Sequence, residues 1–283
     1  MCWTDGRPGV PLPPAEPNID FVGSIPALYD EFLGPVLFTR YADDLTSRIR
    51  SRVKAGRLLE TACGTGLVTR RLDRALPPEV RIVATDLSEA MLGYANTKTP
   101  PSARLEWRTA DAAALPFLEA SFDGLLNQFG WMFVPDKALA FREARRVLKG
   151  RGALAFNVWG TMEENPFSLI AHATIASFFT SNPPAFYQVP FGYNDRTLLE
   201  GHMREAGFTD ISLEPVKQEL RADSARGFAR GLVEGNPVVA AIREAGVPVG
   251  DVVDAVTRVL AKEGGEAPFR STMVALVGTA QAG

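Results

Sequence analysis

Gly64 and Gly66 are followed by Asp86, 20 residues beyond the second glycine. Glycines that end an apolar segment let the chain turn sharply and let a ligand press against the backbone. An acid at that distance can accept hydrogen bonds from both hydroxyls of a ribose. Two further polar points follow along the chain. Asp111-Ala112 offers a carboxylate for an adenine amino group and a backbone N–H for a ring nitrogen. Asn127-Gln128 lies near the end of the apolar stretch Phe122–Phe129. Amides buried there without partners would cost about 1–3 kcal/mol each, so they need something to bind. Leu87, Met91 and Ala112 supply apolar walls. Together these residues can hold an adenosine group.

Such points converge only if regular elements bring them to one edge. Arg57–Cys63 reads as a strand, followed by a helix to Leu76 that Pro77-Pro78 stops. Val80–Asp86 is a second strand, and Ser88 is the expected N-cap of a helix over Glu89–Asn96. Arg104–Thr109 and Phe122–Phe129 follow as strands. A helix over Asp136–Leu148, closed by Gly150, leads to a strand over Gly152–Trp159. Strands alternating with helices imply right-handed crossovers and a parallel, doubly wound α/β sheet. In such sheets ligands bind at the carboxyl ends of the strands, where all the residues singled out above fall except Met91, on the helix that follows the second strand.

The flanks read differently. Residues 1–18 are rich in proline without periodicity, which predicts a flexible tail. Residues 19–52 form an N-terminal cover. Within it Phe32, Leu33, Val36, Leu37, Tyr41, Leu45 and Ile49 recur at helical steps from Ile25 to Arg52. Residues 53–160 are the cofactor-binding core. Residues 161–283 hold helices over Pro166–Ser181 and Thr197–Ala206, strands over Phe208–Leu220 and Phe269–Thr279, and between these a helical block, Ala222–Gly264. That block reads as a cap inserted between the last strands.

Two adenosine cofactors fit, NAD and S-adenosylmethionine. The dinucleotide pattern wants a third small residue where this chain has Thr69. Glu60, just before the turn, would repel a pyrophosphate but suits a cofactor with an α-amino group. The balance favours S-adenosylmethionine. The stretches Leu58–Gly66, Thr85–Leu92, Ala110–Phe117 with Ser121-Phe122-Asp123, and Glu143–Gly152 also occur in the order and spacing of a known family. Over about residues 55–160 the chain resembles the class I S-adenosylmethionine-dependent methyltransferases of the UbiE/type 11 group. The resemblance implies a Rossmann-like sheet of seven strands, the last antiparallel, with S-adenosylhomocysteine as product. It also implies site roles. Glu60 and Gly64, within the turn Ala62-Cys63-Gly64-Thr65-Gly66, lie along the methionine part. Asp86 takes the ribose, Leu87 and Met91 flank the adenine, and Asp111 and Ala112 read its polar edge. Asn127, beside Gln128, approaches the methionine. Ala62 departs from the glycine usual there. The segment Phe21–Asp30 resembles the part of related enzymes that covers the cofactor, so Tyr29 can close over the methionine end.

Methyl transfer is an in-line displacement that positioning alone can accelerate greatly, so no catalytic residue need be visible. Tyr29 and His172 are the candidates, with His202 on a peripheral helix. Trp131, Met132 and Phe133 after the fourth strand, and Trp159 ending the fifth, mark an aromatic mouth for a planar or apolar acceptor such as a phenolic or quinone-like metabolite. No Asn/Asp-Pro-Pro-Tyr/Phe motif follows the fourth strand, which argues against DNA adenine or glutamine acceptors. The alternatives are a protein that holds the cofactor without transferring methyl, or an NAD-dependent oxidoreductase.

Composition sets bounds. Among 283 residues, 30 basic and 33 acidic side chains give a net charge of −3, without the basic excess that nucleic-acid binding favours. Two cysteines and two histidines, far apart, show no metal-ligand spacing. No signal-peptide pattern and no membrane-length apolar run are visible, so the expected setting is the reducing cytoplasm. Monomer and homodimer both remain open.

Overall fold

The computed structural model describes residues 20–283; the expected tail, residues 1–18, lies outside them. The cover consists of α1 (Ile25–Leu28), a π-helix (Tyr29–Phe38) and α2 (Thr39–Arg52). Then β1 (Gly56–Thr61), α3 (Leu67–Ala75), β2 (Val80–Asp86), α4 (Glu89–Lys98), β3 (Leu105–Thr109), β4 (Phe122–Gln128), α5 (Lys137–Val147) and β5 (Leu148–Trp159) build the core. The remainder is α6 (Pro166–Ala176), α7 (Arg196–Glu205), β6 (Phe208–Ala222), α8 (Ala225–Glu234), α9 (Val238–Glu244), α10 (Val249–Gly264) and β7 (Phe269–Ala282).

The seven strands run in the order β3-β2-β1-β4-β5-β7-β6. β1 to β5 are parallel, and β7 pairs antiparallel with both β5 and β6. The order reverses between β1 and β4, so the ends of these two strands open a crevice. Continuous apolar runs explain why the central strands sit at the middle of the sheet. Leu58, Leu59, Leu125, Leu126, Leu154, Phe156 and Val158 are all fully buried. Burying each such side chain stabilises the fold by roughly 1.5–3 kcal/mol.

Side-chain caps start the helices where the sequence places them. Ser88 Oγ accepts from Met91 N, and Asp136 Oδ1 accepts from Leu139 N. The helical block between β6 and β7 breaks at Asn236-Pro237 and again at Gly246-Val247-Pro248. α8 packs on the π-helix and α10, and α10 packs on α6, so the cap closes over the carboxyl edge of the sheet.

Two expectations change. The helix expected over Ile25–Arg52 has a ten-residue π-helical centre. Pro35 lies inside it and has no N–H to donate. Where the π segment meets α2, Thr39 sends both its amide and its hydroxyl to the Gly34 carbonyl. The α5 helix ends at Val147, and Gly150 does not close it. Leu148 already has extended φ and ψ and opens β5, four residues earlier than expected, by pairing with Phe122. The ladder is irregular there, and Arg151 adopts a positive φ.

Candidate active site

The turn after β1 forms the floor of the crevice. Cys63 N donates to Thr85 O at 2.9 Å, tying the turn to β2. Ala62, Gly64 and Gly66 all have positive φ, of 54°, 54° and 75°. Gly66 caps α3, and a Cβ there would lie 3.0 Å from Ala95 and 3.1 Å from the Trp107 ring. Gly64 faces open space. Ala62 holds a left-handed conformation that costs a residue with a side chain roughly 1–2 kcal/mol. Its methyl fits because residue 130 is glycine: a Cβ at 130 would overlap the Ala62 methyl and sit 2.8 Å from Asn127 Nδ2.

Asp86 ends β2 beside this turn. Its Oδ2 accepts from Gly64 N at 2.7 Å and its Oδ1 from Ser88 N at 2.9 Å. Each carboxylate oxygen keeps a further lone pair, the pattern a vicinal diol can use. Burial pushes this carboxyl up, while the Ser88 and Gly64 amides hold it down. Leu87 is 68% exposed at the rim, and Met91 is buried beneath. Asp111 is exposed and uses Oδ1 to accept from Ala113 N at 2.8 Å. Its loop is pinned to α5, because Glu143 accepts from Leu115 N and Arg146 donates to Leu115 O and Phe117 O. The Glu143–Gly152 stretch therefore positions the β3 end of the cleft.

Glu60 and Gln128 form the other end. Both line the cleft, together with Tyr29, Phe38, Ala62, Cys63 and Gly64. Glu60 Oε2 and Gln128 Oε1 are buried with no hydrogen-bond partner. Burial raises the Glu60 carboxyl to about 8, with the Thr69 hydroxyl and amide pulling it down, Asp86 pushing it up and Arg70 drawing it down. Cys63 is a buried free thiol, raised by burial and by the Glu60 and Asp86 carboxylates.

Asn127 plays a different part from the one the resemblance implies. Its Nδ2 donates to Thr61 O and Thr61 Oγ1, and its Oδ1 accepts from Gly130 N and Trp131 N. The amide is fully used in clamping the β4 turn to β1, which leaves no polar atom for a ligand.

The cover closes the cleft through Asp30. Its Oδ1 accepts from Thr65 Oγ1 at 2.9 Å and pairs with Arg70 at 3.5 Å, and its Oδ2 accepts from the Tyr94 hydroxyl at 3.3 Å. One carboxylate thus joins the cover to the glycine turn, α3 and α4. Sequence reasoning passed over this group, since no motif marks it. Tyr29, next in the chain, stacks on Phe38 at 5.0 Å. Burial, with Asp86 and Asp30 nearby, pushes its phenol well above the usual range.

Beyond Tyr29 and Phe38 the cleft meets a second cavity of about 450 Å³, part of it open to solvent. Phe129 and Trp159 stack 4.0 Å apart in its wall, and Phe191 also stacks on Trp159 at 5.7 Å. Met132 and Phe133 line it. Trp131 does not: it turns into the core against Phe141 and Phe156. Phe38, Phe129, Phe186, Tyr187, Phe191 and Asn236 also line it and were not marked by the sequence reading. His172 lies on α6 outside this wall, and His202 Nδ1 pairs with the Tyr193 hydroxyl at 2.7 Å. Among the described residues no cluster of His, Cys, Asp and Glu could hold a metal ion.

Residues 59–156 match the family described as a methyltransferase domain. The chain is 31% identical over 122 residues to the ubiquinone/menaquinone biosynthesis C-methyltransferase UbiE of Geotalea uraniireducens, covering 42% of this chain and 52% of that protein. It is 31% identical over 173 residues to the demethylmenaquinone methyltransferase of Staphylococcus epidermidis, covering 56% of this chain and 70% of that one. The chain belongs to the class I S-adenosylmethionine-dependent methyltransferases. It spans about half the length of the UbiE relatives it matches. The fold of this methyltransferase family member also resembles the Haemonchus contortus phosphoethanolamine N-methyltransferase 2 in complex with S-adenosylhomocysteine (TM-score 0.59, 16% identity, 90% of this chain and 56% of that chain). It resembles the [4+2]-cyclase SpnF as well (TM-score 0.54, 21% identity, 85% and 81% covered). The fold by itself therefore does not name the reaction.

The residues of the cleft fit the family's cofactor. Two buried acceptors with no partner, Glu60 Oε2 and Gln128 Oε1, match an α-ammonium that brings three N–H donors. The same pair would oppose a phosphate.

Proposed function

We propose that this protein transfers a methyl group from S-adenosylmethionine to a small apolar acceptor, phenolic or quinone-like, and releases S-adenosylhomocysteine. The observation that carries this reading is that the cleft with the unpartnered acceptors and the aromatic cavity share Tyr29 and Phe38 as walls. The relatives, a ubiquinone/menaquinone biosynthesis C-methyltransferase and a demethylmenaquinone methyltransferase, support a ring acceptor.

In this reading Asp86 holds the ribose diol, while Glu60 and Gln128 hold the ammonium. Leu87 and Met91 flank the adenine, with Asp111 and Ala112 at its polar edge, and Tyr29 closes over the methionine end. The cofactor supplies an electrophilic methyl carbon on a sulfonium. The acceptor's nucleophile would take that methyl as the C–S electron pair returned to sulfur. Any acceptor proton leaves to bulk water through the part of the cavity that is open to solvent. Among the described residues the walls of the aromatic cavity hold no histidine, carboxylate or lysine, and the raised Tyr29 phenol stays neutral. The reading therefore assigns rate enhancement to alignment and exclusion of water by Phe38, Phe129 and Trp159 rather than to a general base. A small-molecule acceptor goes with the absence of a basic excess. A cytoplasmic setting goes with the free buried thiol of Cys63. Among the described residues no helix is long and apolar enough to cross a membrane.

Calorimetry with S-adenosylhomocysteine, with NAD as control, tests the cofactor, and mass spectrometry of quinol and phenol acceptors tests the transfer. Micromolar binding of the first ligand only, weakened about 100-fold or more in Asp86→Ala, is expected. Binding of NAD instead, or of neither, would overturn the reading. Binding without turnover on any ring acceptor would leave a cofactor-holding protein.

A further inference from the structure

One polar side chain interrupts the aromatic cavity. Asn236 joins α8 to α9, is 6% exposed and lines the cavity. Its Nδ2 donates to Gly231 O at 3.4 Å and to Leu232 O at 3.1 Å. Both partners are carbonyls, which require a donor, so the orientation of the amide is set and Oδ1 is the outward atom. Among the described residues no donor reaches Oδ1. Nor is Oδ1 among the fully buried atoms that lack a partner, so it keeps contact with open space.

Tyr187 stands beside it in the same wall and is also buried. Its hydroxyl proton is committed to Leu232 O at 2.7 Å. The Asn236 side chain also hydrogen-bonds this phenol, so Tyr187 still offers one lone pair at most. The polar spot thus presents acceptors and no free donor. A carbonyl or ether oxygen placed there would set lone pair against lone pair, whereas a hydroxyl or N–H would be satisfied.

We infer that Asn236 determines acceptor specificity by reading a hydroxyl or N–H on the acceptor, so that the site takes a phenol or reduced quinol in preference to the ether or quinone of the same ring. This rests on the reading of the aromatic cavity as the acceptor site. The bland role, capping the end of α8, uses only Nδ2 and is silent about Oδ1.

The test uses the full chain saturated with S-adenosylhomocysteine, with 1-naphthol and 1-methoxynaphthalene as probes and Trp159 fluorescence as the readout. The two probes share a ring system and differ in one donor. Wild type is expected to bind the naphthol roughly tenfold more tightly, the size of one neutral hydrogen bond in a desolvated site. Asn236→Ala should abolish that preference and leave methoxynaphthalene affinity unchanged. Asn236→Asp, which gives up the Nδ2 donors but keeps an acceptor oxygen, should retain the preference. Calorimetric binding of S-adenosylhomocysteine verifies that each variant is folded, and the Asp variant carries the test if the Ala variant fails that check. Equal affinities in wild type, a preference that survives Asn236→Ala, or one lost in a folded Asn236→Asp would overturn the inference. Failure of both probes to bind a protein that binds S-adenosylhomocysteine would instead overturn the acceptor-site reading beneath it.

Discussion

The cofactor cleft and the aromatic cavity meet at Tyr29 and Phe38, yet they are assembled in opposite ways. The cleft draws its polar atoms from the ends of β1, β2 and β4 and leaves Glu60 and Gln128 unpaired. The cavity draws rings from the cover, the β4 and β5 ends and the segment before α7, with Asn236 from the cap. In the cleft the sheet register sets the geometry. In the cavity the geometry depends on how distant segments pack. Binding of the common cofactor therefore rests on the rigid part of the fold, and selection of the acceptor rests on the part that sequence change can alter most freely.

The sharpest way to break this division is to damage each half and read the other. Asp86→Ala should weaken S-adenosylhomocysteine about 100-fold or more, since it removes two charge-assisted contacts worth roughly 1.5–3 kcal/mol each. Naphthol binding to the variant at saturating S-adenosylhomocysteine should stay within a few-fold. Trp159→Leu should do the reverse: calorimetry, which does not depend on the lost indole, should find naphthol binding abolished and S-adenosylhomocysteine affinity within about threefold of wild type. Equal damage to both ligands from either change would mean that the two regions act as one.

Gly130→Ala should cost about 2–3 kcal/mol in denaturant unfolding, because its Cβ meets the Ala62 methyl and the clamped Asn127 amide. Adding Ala62→Gly should recover only part of this loss, since Asn127 remains. Full recovery would show that the Asn127 clamp yields.

Glu60 sharpens the comparison through pH. Its folded value of about 8 lies above the ordinary 4.5. Between those values the folded protein holds a proton that the unfolded chain has lost. Stability without ligand should therefore fall as pH rises through that window and change no further above it. Glu60→Gln should flatten this dependence of Tm on pH. An ammonium beside Glu60 favours its charged form, so S-adenosylhomocysteine should bind more tightly as pH rises from 6 toward 8 and release a proton in doing so. Calorimetry in buffers of different ionisation enthalpy detects that proton, and a wild type that releases none would remove Glu60 from the ammonium site. The smallest effect expected is from Ala62→Gly alone, a gain of at most about 1 kcal/mol from relieving a positive φ, offset by the freer unfolded chain.

The strand-end arithmetic made the cleft legible. Val80–Asp86 reads as a strand from its pattern alone and is one, and Ser88 and Asp136 cap the helices they precede. The cavity was only half legible. Met132, Phe133 and Trp159 lie close to strand ends, whereas Tyr187 and Phe191, from the segment before α7, and Asn236, from the cap, reach the same space only through packing of distant segments. No local spacing encodes that meeting. Trp131 and Asn127 show a different limit. Sequence places a residue at the right strand end, but neighbouring atoms decide whether its side chain faces a ligand or serves the fold. The π-helix escaped because its hydrogen-bond shift leaves apolar residues on the face that ordinary helical spacing predicts.

The fit between Ala62 and Gly130 also makes each position set the other's tolerance. Alanine at 62 is open only while 130 stays bare, and with alanine there one of the routes to change at 130 is closed. Among relatives the two positions should show mutual exclusion, with a side chain at one or at the other and not at both.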